Sequence, residues 1–184
     1  MAAATTPGGG ASTGAAVAVV LRAPDRVHPR GQPAAIEVEV RNVGDADIWM
    51  VGVLDGSEGG TRYPQYLPAV MRAGVTVATP GVAEDPLVAR LRAADIRRLA
   101  PGAAFDPTRP ADNAAYHPLS TFAIWTCPHA GEYQYVLGLS TASQAVEQWL
   151  GRLGPAEDPE QLRELIAHIP RLMTRSNILT IRVA

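Results

Sequence analysis

Apolar and polar positions alternate with a period of two over several parts of this chain. In 16–22, Val17, Val19 and Leu21 share one face of an extended segment. The cleanest alternation is 35–42: Ile36, Val38 and Val40 point one way, and Glu37, Glu39 and Arg41 the other. One wet face suits an antiparallel sheet. The turn residues of 42–47 lead into a strand over 48–54, and Asp55-Gly56-Ser57-Glu58-Gly59-Gly60 then forms a loop. The densest signal is 119–139. Leu119, Thr121, Ala123 and Trp125 alternate with Ser120, Phe122, Ile124 and Thr126, which predicts a strand buried on both faces. Pro128 to Gly131 make a turn, and 133–139 form the next strand, with Trp125 and Tyr133 as core anchors. The period then changes. Ala145, Val146, Trp149, Leu150 and Leu153 predict an amphipathic helix over 142–153. A second helix starts at Asp158-Pro159, buries Leu162, Leu165, Ile166 and Ile169, and ends at Pro170. In the closing strand, 176–183, Leu179, Ile181 and Val183 face inward.

The middle of the chain is less regular. Residues 61–72, with Pro64 and Pro68, read as a proline-interrupted edge, and 74–79 as a short strand. Asp85-Pro86 followed by Leu87, Val88, Leu91 and Ala94 predicts a short helix over 86–94. Residues 96–99 extend that helix or form a strand, and 105–118 are a long loop. Residues 1–15 are mostly alanine, glycine, threonine and serine, and bury too little apolar surface to offset ordering, so a flexible tail is expected before a single domain over 16–184.

Composition adds limits. With 47% apolar residues the chain has a globular balance, and a net charge of −2 gives no electrostatic case for nucleic acid. No apolar run reaches the roughly 20 residues of a membrane helix, so no membrane insertion is expected. All 16 basic residues are arginine, a bias associated with GC-rich bacterial coding. Cys127 is the only cysteine, so no intrachain disulfide forms. The amino terminus lacks the basic and apolar regions of a secretory signal, and it starts at Met1. A cytoplasmic location is expected, with a mature secreted form as the alternative.

Four short motifs are ordered along this pattern: Leu99-Pro101-Gly102, Pro128-Gly131-Tyr133, Trp149-Gly151 and Ser176-Asn177. With the Val-x-Val-x-Asn hairpin before them, they resemble bacterial immunoglobulin-like domains, and also the intracellular proteinase-inhibitor domains that share this general order. The resemblance implies an immunoglobulin-like antiparallel β-sandwich of about seven or eight strands, mainly β, with a short helix near 86–94 and a helical insertion near 143–170. Such domains mostly bind or space other molecules.

The candidate chemistry is sparse. His117, Cys127 and His129 carry the residue types of a cupredoxin-like copper site, but only one residue separates Cys127 from His129 and no methionine follows until Met173. A packed thiol beside a turn histidine is the simpler reading. A nucleophile at Cys127 served by His117 or His168 has no local signature. The acidic groups around Asp45, Asp55 and Asp158 lack calcium-loop spacing and read as turns and a helix cap. Trp49, Arg62, Tyr63, Tyr66 and Arg72 are interface-type residues on or near a proline-stiffened loop, and Leu165 and Ile169 could present the second helix to a partner. Packing on the sheet is the default for both sets.

The expected function is therefore a non-catalytic binding module or assembly subunit with a protein partner and no cofactor. The runner-up is a protease inhibitor acting through loop 61–72. A copper-binding cupredoxin-like protein comes third.

Overall fold

The alternating stretches form strands for the reason their pattern gives: one face of each is apolar and shares a common core. The computed structural model describes residues 16–81, 88–110, 114–154 and 157–184. The expected tail over 1–15 and the Asp85-Pro86 helix start lie outside them. β1 (Val17–Arg22) buries Val17, Val19 and Leu21. A short β2 (Val27–His28) follows, and then β3 (Glu37–Asn42) pairs antiparallel with β1, Val17 opposite Asn42. β4 (Ile48–Val51) precedes the hairpin of β5 (Gln65–Arg72) and β6 (Val75–Ala78). β7 (Ile96–Leu99) returns to pair with β4, and β8 (Ala104–Phe105) adds to β3. A one-turn helix α1 (Ser120–Ile124) leads to β9 (Gly131–Ser140). Helices α2 (Glu147–Leu150) and α3 (Pro159–Ala167) come next, before β10 (Met173–Arg175) and β11 (Leu179–Val183).

The protein is mainly β; the described strands pair antiparallel except where β2 lies parallel to β11, and an isolated parallel bridge joins Ala89 to Leu153. The largest sheet runs β2-β11-β9-β5-β6, with β10 beside β9; β1-β3-β8 and β4-β7 are the others. β9 is central and buries Tyr133, Tyr135, Val136, Leu137 and Leu139. Inward residues of all three sheets and of α3 belong to one hydrophobic cluster. Full burial of each such side chain is worth about 1.5–3 kcal/mol, so this cluster dominates stability.

The motifs singled out in the sequence are joints between these sheets. Ala100-Pro101-Gly102-Ala103 is a type II turn: Ala103 N–H donates to the Ala100 carbonyl at 3.0 Å, and Gly102 has φ +77°. Asn42 holds that turn to β3. Its amide nitrogen donates to the Leu99 carbonyl at 3.0 Å and the Ala46 carbonyl at 2.8 Å, and its side-chain oxygen accepts from Gly44 N–H. Tyr133 folds back so that its hydroxyl donates to the His129 carbonyl at 3.0 Å, a tyrosine corner at the entry to β9.

Ser176 and Asn177 occupy a bulge between β10 and β11, where the register against β9 slips from Arg175–Gly138 to Leu179–Tyr135. Ser176 fills the gap, its Oγ accepting from Leu137 N–H. The Asn177 amide accepts from Leu21 N–H at 2.8 Å and donates to the Leu21 carbonyl at 3.1 Å, acting as a strand residue against β1 and tying two sheets together. Asn177→Ala should cost about 1–2 kcal/mol in urea unfolding, and Asn177→Asp, which keeps only the acceptor, about half of that. A midpoint unmoved by Asn177→Ala would show the tie to be idle.

Several expectations need correction. The strand over 119–126 is instead α1, with Trp125 half-buried rather than a core anchor. Glu58 is the reason: it supplies a carboxylate from a distant loop, accepting from Ser120 N–H, Ser120 Oγ and Thr121 N–H, and so caps a helix that has no cap of its own. Within 86–94, Val88 to Arg92 are not helical, and only a 3-10 turn, Ala93–Asp95, is present. The helix over 142–153 shrinks to α2. Both changes have one cause: 88–91 and 150–153 bond to each other, through Leu91 N–H to the Leu150 carbonyl, Arg90 N–H to the Leu153 carbonyl, and Arg152 and Leu153 N–H to the Val88 carbonyl. Residues 65–72 are strand rather than loop. Val70 and Met71 lie between β9 and β6, while at Pro68 no described strand pairs on the side away from β9, so its missing N–H costs no ladder bond.

Candidate functional site

The residues expected to meet a partner divide sharply by exposure. Tyr66 is fully buried, its hydroxyl donating to the Val51 carbonyl at 2.7 Å, and burial pushes its ionisation well above the usual tyrosine range. Arg62 and Ile169 are also buried. Trp49, Tyr63, Arg72 and Leu165 are half-buried. Trp49 stacks 4.5 Å from the His168 ring and lies under the Arg98 guanidinium; it joins β4 and β7 to the end of α3. Tyr63 packs 5.6 Å from Trp149, and its N–H donates to the Gln148 carbonyl. Arg72 covers Tyr133 and donates to the Ala130 carbonyl. These aromatic and cationic groups hold the helical insertion and the β9 corner onto the sheets. They do not form one open patch, and 61–72 is not a projecting loop.

Arg62 has the most unusual environment. Its Nη1 donates to the Ala89 carbonyl and its Nη2 to the Trp149 carbonyl, each at 2.5 Å, while its buried Nε has no partner. Burial lowers its pKa to about 10, although Asp55 and Asp95 oppose that shift through their fields. The guanidinium therefore bridges the crossover at Ala89 and the insertion at Trp149. Arg171 lies 4.9 Å over the Trp149 ring and closes the same junction. Nearby, Asp95 is buried, and burial pushes its carboxyl up. Hydrogen bonds from Arg92 and from the Ala115 N–H outweigh that and hold it below the ordinary range. Sequence reading missed Asp95 because its partner Ala115 is twenty positions away.

The metal and nucleophile candidates are not assembled. Cys127 is buried, with its sulfur 3.4 Å from the Tyr135 hydroxyl, whereas His117 and His129 are exposed. Among the described residues no three His, Cys, Asp or Glu side chains converge in a way that could hold a metal ion. A cleft of about 310 Å³ does gather Asp55, Glu58, His117 and Ser120. Glu58 is committed there to capping α1, and Asp55 accepts from Ala89 N–H.

The surface that is open and apolar lies elsewhere. At the outer edge of the six-stranded sheet, Val75 is 65% and Val77 36% exposed. β6 has β5 on one side and no described strand on the other. The opposite edge strand is β2, two residues long, which covers β11: Arg182 N–H donates to the Arg26 carbonyl and Ala184 N–H to the His28 carbonyl. Natural sheets usually guard an open edge with charge or proline, and Val75-Thr76-Val77-Ala78 has neither. A groove of about 310 Å³ opens beside the last residues of β6, bounded across from Ala78 and Thr79 by Thr121, Ile124 and Trp125. Ile124 is 73% exposed.

No family model matches the chain, and no curated protein matches it in sequence. The solution NMR structure of a CARDB domain from Pyrococcus furiosus aligns over 92% of this chain and 94% of that chain, at 14% identity and a TM-score of 0.32. A likeness at that level says nothing about the site.

Chemically, the edge offers backbone donors and acceptors, β-branched side chains and a groove without a charged residue among its described lining. The signal for it was present in the sequence, since 75–78 is a strand without the Glu and Arg residues that mark the wet face of β3. No helix among the described residues is long and apolar enough to cross a membrane.

Proposed function

We propose that this chain is a non-catalytic module of the immunoglobulin-like β-sandwich type that holds a protein partner at the outer edge of its six-stranded sheet. The observation that carries the proposal is the exposed, uncharged strand β6. Three features support the sandwich part of it: antiparallel sheets with a shared core, the tyrosine corner at Tyr133, and the type II turn at Pro101-Gly102. For the binding part, exposed apolar surface on a folded domain marks an interaction site more often than a scattered single residue does. The side chains at Tyr66, Arg62 and Ile169 are already used inside the fold, which leaves the edge as the better interface.

The test is affinity capture from the source cell with the full chain as bait, beside a Val75→Arg, Val77→Arg double variant. Both positions are exposed, so the variant should fold, with its thermal midpoint as the control. A partner retained by the wild-type chain and depleted about tenfold or more by the variant supports the edge. Equal retention by the variant rejects it. Loss on Leu165→Arg alone would place the interface on α3 instead.

A further inference from the structure

The edge at β6 restricts what a partner can present to it. A row of main-chain N–H and C=O groups is met fully only by another extended main chain. We infer that the partner enters as an uncharged, extended segment that adds to β6 as a further strand and continues into the groove beside α1; this rests on the binding reading above.

Three observations select that occupant. First, among the described residues none that lines the groove carries a charge: it is built from Ala78, Thr79, Ser120, Thr121, Ile124 and Trp125, with Gly81 and Thr126. A charged side chain entering it would lose water, and no described lining residue offers it a counter-charge. Second, the pairing of β5 with β6 shifts between Val70 and Met71, and this bulge leaves Val77 without a cross-strand partner. The regular edge is therefore only the four residues of β6. A second folded copy meeting so short an edge would bury far less than the roughly 1,200–2,000 Å² of a stable interface. A flexible segment can pair with the edge and continue into the groove. Third, the Trp125 indole N–H is buried without a hydrogen-bond partner, so this side chain of the groove wall can adjust without breaking a side-chain hydrogen bond.

The probe is a blocked hexapeptide of alternating threonine and valine, added at millimolar concentration to the full chain, with backbone amide shifts and hydrogen exchange as readouts. Exchange at the β6 amides that face away from β5 should slow about tenfold or more, as expected for newly bonded strand amides. The same peptide methylated on every backbone nitrogen should lose this effect, and so should one with glutamate in place of threonine. Ile124→Lys, at an exposed position, should weaken binding about tenfold by placing an unpaired charge at the groove. If β6 amides do not respond while captured partner still depends on Val75 and Val77, strand addition is wrong and the binding reading stands. If β6 is protected without peptide, in a dimer that grows with protein concentration, the occupant is a second copy and the inference is overturned. Protection by the methylated peptide would overturn it as well.

Discussion

Gly151→Ala should destabilise the protein by about 4 kcal/mol, as strain at a glycine-only conformation and a backbone overlap add together. Gly151 sits at φ +71° and ψ 177°, a region that L side chains avoid. A Cβ there would lie 2.3 Å from the Ala89 carbonyl oxygen and 3.0 Å from the Val88 oxygen. Neither is the movable end of a side chain. They are main-chain groups, and the Val88 oxygen accepts from Arg152 and Leu153 N–H. To admit a methyl group, the insertion must part from the crossover. Gly154→Ala is the matched control: Gly154 also has positive φ, +101°, but a Cβ there meets nothing within 4 Å. It should cost about 1 kcal/mol, the backbone penalty alone. Urea unfolding measures both, and equal losses would show that the overlap is relieved at no cost. Hydrogen exchange should localise the larger effect to 88–91 and 150–153, leaving β9 protected.

The second large effect is at Arg62. Arg62→Ala should cost about 3 kcal/mol at neutral pH, since it orphans two carbonyls and empties the space of a long stem. One consideration opposes this: removing a poorly compensated buried charge can stabilise a protein. Here the cation is unpaired, and burial depresses its pKa to about 10, so that term is not small. The carbonyls decide the sign. Ala89 and Trp149 belong to segments that pack face to face, and each offers the guanidinium an oxygen at 2.5 Å. Arg62→Met keeps much of the stem but leaves both oxygens unmet, and should lose about half as much. Arg62→Lys should recover little, because an ammonium lacks the planar fork that spans two acceptors. An alanine variant within about 0.5 kcal/mol of wild type would show that the bridge contributes nothing.

What the sequence disclosed follows from the range of each interaction. Alternation placed β1, β3 and β11 with their inward residues, because a strand's facing depends on neighbours two positions away. Asp158-Pro159 placed the start of α3, where the Asp158 carboxylate accepts from Glu160 N–H. The short motifs at Pro101-Gly102, Tyr133 and Ser176-Asn177 all proved to be structural joints. Errors arose where a distant group chose between two locally acceptable conformations. Thr121, Phe122 and Ile124 favour a strand, and Glu58 makes them a helix. Val88 and Leu91 fit a helical stripe, and main-chain bonds to 150–153 keep them extended. At the candidate site the error went the other way. Large aromatic and cationic side chains attracted attention around Tyr63 and Tyr66, yet such groups are as useful inside a core as on a surface. The open edge is made of small β-branched residues that draw no notice one at a time.

The helical insertion leaves β9 after Ser140 and rejoins at Met173, and those two residues face each other across one rung of the sheet. Its neck is closed by Thr141, whose N–H donates to the Leu172 carbonyl and whose hydroxyl accepts from Leu172 N–H. Seen topologically, the segment is an excursion between adjacent hairpin ends, the kind of place where lineages can lengthen, trim or exchange sequence without disturbing strand register. Its freedom is limited by one attachment. Ala89, Arg62 and Trp149 meet beneath it, so a replacement that lacked the Trp149 carbonyl would leave a buried cation short of an acceptor. Descent should then couple three stretches far apart in the chain, and a replacement of the insertion that displaces this main-chain carbonyl should be inherited together with a change at position 62.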